Sequence, residues 1–73
     1  MATKFVEIAR VNVADNRDIV ISNVMEDGNL KGININSFVT TMKYTGYTKG
    51  TFIPADKVHD FVTAIRKLDM KWR

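Results

Sequence analysis

Every Asp and Glu in the chain lies within residues 7–27 or 56–69, so residues 28–55 carry Lys31, Lys43 and Lys49 with no acid among them. The same stretch holds Phe38, Tyr44, Tyr47 and Phe52, four of the seven aromatic residues, interleaved with Asn34, Asn36, Thr40, Thr41, Thr45, Thr48 and Thr51. Cations, hydroxyl and amide donors, and aromatic plates are what an unpaired nucleic-acid strand requires, because it presents regularly spaced phosphates and open base faces. Stacking contributes about 1–3 kcal/mol per base, so two or three plates outweigh what three exposed lysines add at moderate salt. Tyr44 and Tyr47 flank Gly46, where a turn would leave them hard to bury, and they are the first candidates for stacking. Phe38 and Phe52 have a second reading as core packing, and the lysines a second reading as charges that keep an edge strand soluble.

Other chemistries find less support. His59 is the single histidine and cysteine is absent, which removes thiolate zinc sites, disulfides and a cysteine nucleophile. Asp56 with Asp60 at helical spacing, and the adjacent Glu26 and Asp27, read as solvated charge. Ser22 and Ser37 lack a glycine-elbow context, and residues 46–50 lack the spacing of a phosphate-binding P-loop. No catalytic constellation, metal site or cofactor is expected.

The elements that must position these residues emerge from the change of hydrophobic period. Residues 5–13 alternate as a first strand, with Phe5, Glu7, Ala9, Val11 and Val13 on one face and Val6, Ile8, Arg10 and Asn12 on the other. Residues 14–18 are turn-like, residues 19–25 form a second strand, and Asp27-Gly28 is a hairpin signal. A third strand is expected over residues 31–44, buried at its Ile33 and Ile35 end, then a turn at residues 45–47 and a short fourth strand at 48–53 that Pro54 ends. From Ala55 the period becomes helical: Val58, Phe61, Val62, Ile65, Leu68 and Trp72 fall on one stripe. Asp56 near the start and Lys67, Lys71 and Arg73 near the end have the signs that the helix dipole favours.

At 73 residues with 45% hydrophobic and 26% charged content, the chain is one domain, residues 1–73, with a thin core. Association into a dimer is the natural remedy. The formal charge of +3 is unevenly distributed: −2 over residues 1–27, +3 over 28–55 and +2 over 56–73. No stretch reaches the length of a signal peptide's apolar region or a membrane span, which predicts an intracellular protein that does not enter membranes.

Four strands, one closing amphipathic helix, a Lys-Gly dipeptide opening the last strand and a single Pro at the helix entrance together resemble the single-stranded-DNA-binding domain of the transcriptional coactivator positive cofactor four and its small bacterial and phage relatives. The likeness spans nearly the whole chain and is carried by residues 28–35 at the second hairpin, residues 49–54 in the Lys-Gly strand, and residues 58–68 in the helix. It implies a homodimer built largely by the C-terminal helices, with curved antiparallel sheets forming channels for single-stranded DNA without strong sequence preference. By the same likeness Lys49 would contact the phosphate backbone, Lys31 would lie beside the strand, and Phe38 would match an aromatic position late in strand three. The chain departs from the family at Val39, where a tryptophan is usual, and at Thr48, where an arginine often precedes Lys-Gly, which leaves Tyr44 and Tyr47 as substitutes.

The resulting expectation is an α+β domain, β-β-β-β-α, with a four-stranded antiparallel curved sheet followed by one amphipathic helix, acting as a homodimer. Its function would be binding of single-stranded DNA, or RNA, in replication, recombination or transcription, alongside proteins of those processes. The setting would be the cytoplasm or nucleoid of a bacterium, or the host cytoplasm for a phage-encoded chain. Candidate nucleic-acid ligands are Arg10, Arg17, Lys31, Phe38, Lys43, Tyr44, Tyr47 and Lys49; candidate dimer contacts are Val58, Phe61, Val62, Ile65, Leu68 and Trp72, the last having a second reading as a stacking residue. The alternative is a protein-interaction module using the helix stripe and sheet edge, with no nucleic-acid role.

Overall fold

A computed structural model describes residues 2–72, with side chains described as far as Leu68. Strands β1 (Thr3–Ala14), β2 (Arg17–Glu26) and β3 (Asn29–Thr40) form an antiparallel meander, followed by β4 (Thr45–Tyr47), β5 (Thr51–Pro54) and helix α1 (Ala55–Trp72). The β-β-β-β-α order stands, with the last strand split. Both β4 and β5 pair antiparallel with β3, through Phe38 with Tyr47 and Thr40 with Thr45 in one piece, and Gly32 with Pro54 and Ile35 with Thr51 in the other.

Side-chain hydrogen bonds account for the differences from the sequence reading. Residues 45–47 are strand, and the turn lies before them at residues 41–44. There the backbone N–H and hydroxyl of Thr41 both donate to the Tyr44 carbonyl, at 2.7 and 3.0 Å, and the Tyr44 N–H donates to Thr41 Oγ1 at 2.9 Å. A threonine that bonds its local backbone competes with the ladder and ends β3 at Thr40. Residues 48–50 are not strand. Thr48 still holds to β3, its N–H donating to the Ser37 carbonyl at 2.8 Å and its hydroxyl accepting from the Ser37 N–H at 3.1 Å. The Asp27-Gly28 hairpin forms as expected, with φ of 53° and 83° at its two residues, the geometry of a type I′ turn.

Pairing registers sort the side chains onto two faces. Ile19, Ile21, Ile33 and Ile35 share one face with Val6, Ala9 and Val11, and α1 packs on this side over β3 and β5. Pro54, the last residue of β5, has no N–H to donate to β3 and leads straight into α1, whose Asp56 sits in the first turn. The other face carries Phe5, Glu7, Arg10, Asn12, Asp18, Val20, Ser22, Val24, Asn34, Asn36, Phe38, Tyr47 and Phe52. This corrects the strict alternation expected in β1: a register shift between Glu7 and Ala9 inserts one residue, so Arg10 and Asn12 join Phe5 and Glu7 on one side. Such bulges also bend and twist the strand.

The core is thin. Among the described residues the buried hydrophobic side chains are Val20, Val24, Ile33 and Val39. The radius of gyration is 14.1 Å, against about 11 Å for a compact chain of this length. Gly32 is a packing constraint in this slab, because a Cβ there would stand 2.8 Å from the Phe52 ring and collide with the Ile53 carbonyl oxygen. Gly32→Ala is therefore expected to push β5 off β3 and cost about 1–3 kcal/mol, measured by urea denaturation; an unchanged midpoint would show that β5 shifts without strain.

Candidate nucleic-acid interface

The face away from α1 has a polar floor framed by aromatic rings. Across the sheet, Glu7, Ser22, Asn34 and Phe52 form one register row, and Asn12, Asp18, Phe38 and Tyr47 form another four residues along β2 and β3. Phe5, Glu7, Ser22, Asn34, Asn36 and Tyr47 line a cleft of about 390 Å³ between them. Phe5, Tyr47 and Phe52 are at least half exposed, although large apolar rings on a single-layer sheet would normally be covered.

Arg10 organises one end of this face. Its guanidinium pairs bidentately with Glu7, at 3.0 and 3.2 Å, and reaches Asp18 at 3.3 Å. It also donates to the Tyr47 hydroxyl at 3.4 Å and lies 5.2 Å from the Phe38 ring centroid, a cation–π contact. Phe38 and Tyr47 meet edge to face, with centroids 5.0 Å apart and an interplanar angle of 69°. The Glu7 hydrogen bonds, only partly opposed by desolvation and supplemented by the charge of Glu7 and by Asp18, raise the Arg10 pKa above its ordinary value. Arg10 thus stays charged, and two carboxylates offset that charge.

The sequence candidates separate in space. Phe38, Tyr47 and Arg10 come together as one cluster, whereas Arg17 lies on the opposite face, level with Val39, and donates to Ser37 Oγ at 3.3 Å. Tyr44 sits in the turn and braces β4, its hydroxyl donating to the Tyr47 carbonyl at 2.6 Å. Lys43 occupies the same turn and Lys49 the bend between β4 and β5, both exposed. Gly50 lets that bend run against the floor, since a Cβ there would be 2.6 Å from the Asn34 amide. Lys31 stands 3.6 Å from Glu26. The basic segment therefore runs along the β3, β4 and β5 side of the sheet, and the acidic N-terminal hairpin lies across from it.

Phe5, Glu7 and Ser22 belong to this face and were not named for binding in the sequence, where Phe52, Asn34 and Asn36 figured only as part of the acid-free segment. Ser22 had a legible signal, a hydroxyl set between Val20 and Val24 on one period-two row of β2. Phe5 and Glu7 had none, because the β1 bulge that aligns them with Arg10 leaves no mark in the residue pattern.

On the other side, Val58, Phe61, Val62 and Ile65 of α1 face Ile8, Ile19, Ile21, Leu30, Ile33 and Ile35 across a groove of about 870 Å³. The two surfaces do not close on each other: Ile8 is 54% exposed and Ile65 51%. Leu68 is exposed near the end of the described side chains, and the assignment of Trp72 to this stripe falls outside the described side chains. His59 is exposed at the rim of this groove.

Compared with family models, curated proteins and solved structures, the chain matches none. Its reading rests on its own geometry. The aromatic cluster yields a direct check: Phe38→Leu keeps an apolar side chain but removes the edge-to-face pair, and should cost about 0.5–1.5 kcal/mol beyond any change in buried area. Guanidinium denaturation would read the loss, and a double-mutant cycle with Tyr47→Leu should return most of it as coupling.

Proposed function

We propose that the chain binds single-stranded DNA as a homodimer, the uncovered sheet face receiving the bases and the basic edge receiving the phosphates. The observation that carries this reading is the exposure of Phe5, Tyr47 and Phe52 on one face, with the half-buried Phe38 against Tyr47, around a polar floor and beside the acid-free segment bearing Lys31, Lys43 and Lys49. Unpaired bases bring planar faces for such rings, and stacking tolerates any base because each has a π-face. Duplex DNA keeps its bases stacked inside and presents only phosphates and groove edges, so the rings would go unused.

The homodimer is supported by the opposite face. The groove leaves Ile8, Val62 and Ile65 exposed along one apolar surface, and a second copy offers a matching helix and sheet to cover it. The same resemblance that suggested the fold implies roles in replication, recombination or transcription, and these stay with the proposal.

Two measurements test it. Fluorescence anisotropy should show a labelled single strand bound more tightly than the matching duplex, with log affinity falling as log salt rises by about 0.7 per phosphate neutralised. Equal binding of both forms would sink the single-strand reading. Lys49→Glu should weaken binding more than Lys57→Glu on α1, whereas equal losses would indicate diffuse charge. Sedimentation should give a dimer that Phe61→Asp or Ile65→Asp converts to monomer; a monomeric native chain would remove the dimer from the proposal.

A further inference from the structure

The cleft on the uncovered face has a floor of polar side chains open to a ligand. Ser22, only 7% exposed, and Asn34, half-buried, line this open cleft, and since no buried side-chain polar atom among the described residues is left unsatisfied, their polar groups are those that solvent or a ligand reaches. Asn36 spends one amide proton on the Thr48 carbonyl at 3.4 Å and keeps its own carbonyl oxygen for another donor. Glu7 stands in the same register row as Ser22 and Asn34. The Arg10 fork fixes its carboxylate, and each oxygen retains an acceptor site beyond that ion pair. The walls are Phe5 and Tyr47.

A slot with aromatic walls and an amide, hydroxyl and carboxylate floor fits a flat heterocycle that stacks on a wall and turns its polar edge downward. The floor also discriminates between edges. A primary amide pairs bidentately with an amine beside a ring nitrogen and, turned over, with a carbonyl beside an N–H, so the choice falls to the carboxylate. A carboxylate accepts from that amine and repels a carbonyl at the same place. Adenine and cytosine present an amine beside a ring nitrogen, whereas thymine presents a carbonyl and an N–H.

We propose that this cleft holds one unpaired base and selects adenine or cytosine over thymine, with Glu7 and Asn34 reading the exocyclic amine and Ser22 the neighbouring ring atom. The inference rests on the single-strand reading of this face and adds to it one selective position within an otherwise tolerant site. Phosphates would lie toward Lys49, whose neighbour Gly50 borders the Asn34 amide.

The test is anisotropy with labelled oligo-dA, oligo-dC and oligo-dT of equal length at one salt concentration. Oligo-dT should bind roughly tenfold more weakly than the other two, the discrimination one bidentate contact supplies. Glu7→Gln, on an exposed and isosteric position, should bring that ratio close to one, and Ser22→Ala should reduce it without Glu7 being touched. Circular dichroism checks that both variants fold. Equal affinity of the native chain for all three oligonucleotides, or a ratio that survives both substitutions, overturns the base-selective cleft and leaves single-strand binding standing. Failure to bind any of them overturns the single-strand reading itself.

Discussion

One helix can shield only one side of a five-strand sheet, and this chain has one helix. An 18-residue α1 extends about 27 Å and lies over β3 and β5, so β1 and the whole reverse side must find another solution to water. The two sides solve it differently. The helix side remains apolar and half open, a surface suited to a second copy. The reverse side is amphipathic, its buried valines covered by Asn, Ser, Glu and Arg, with aromatic rings at its margins.

Charge follows the same division. The paired strands β1 and β2 bring Glu7, Asp18 and Glu26 to the reverse face, where Arg10 and Lys31 meet them. Exposed pairs of this kind add little to stability, but they set where free positive charge remains. Lys43 and Lys49, exposed on the turn and bend along the edge made by β4 and β5, lie outside these pairs. In the proposed single-strand reading, that edge would take the phosphates and the floor the bases.

The break between β4 and β5 links these properties to the fold. A continuous edge strand would have presented a row of free backbone groups to other chains. Thr48 satisfies Ser37 with its hydroxyl and N–H, and the chain then bends at Lys49 and Gly50. Backbone pairing is kept at both ends while a cation and a close backbone approach are placed beside Asn34.

Much of this was legible in the residues. The period-two rows, the Asp27-Gly28 hairpin, Pro54 and the helical stripe from Val58 determined the order of elements, because each is a local property of backbone geometry and side-chain spacing. The acid-free segment with its lysines and aromatics was equally visible, and the excess of exposed hydrocarbon followed from chain length. Which residues share a face was decided only in the folded chain. The bulge after Glu7 turned Arg10 toward Glu7, Asp18 and Phe38, and strand pairing across β1, β2 and β3 aligned Glu7, Ser22 and Asn34, residues far apart in sequence. A one-residue insertion in a strand reverses every side chain beyond it at almost no cost in composition. That is why the site's chemistry could be read from the sequence, and why its floor could be assembled only by the tertiary structure.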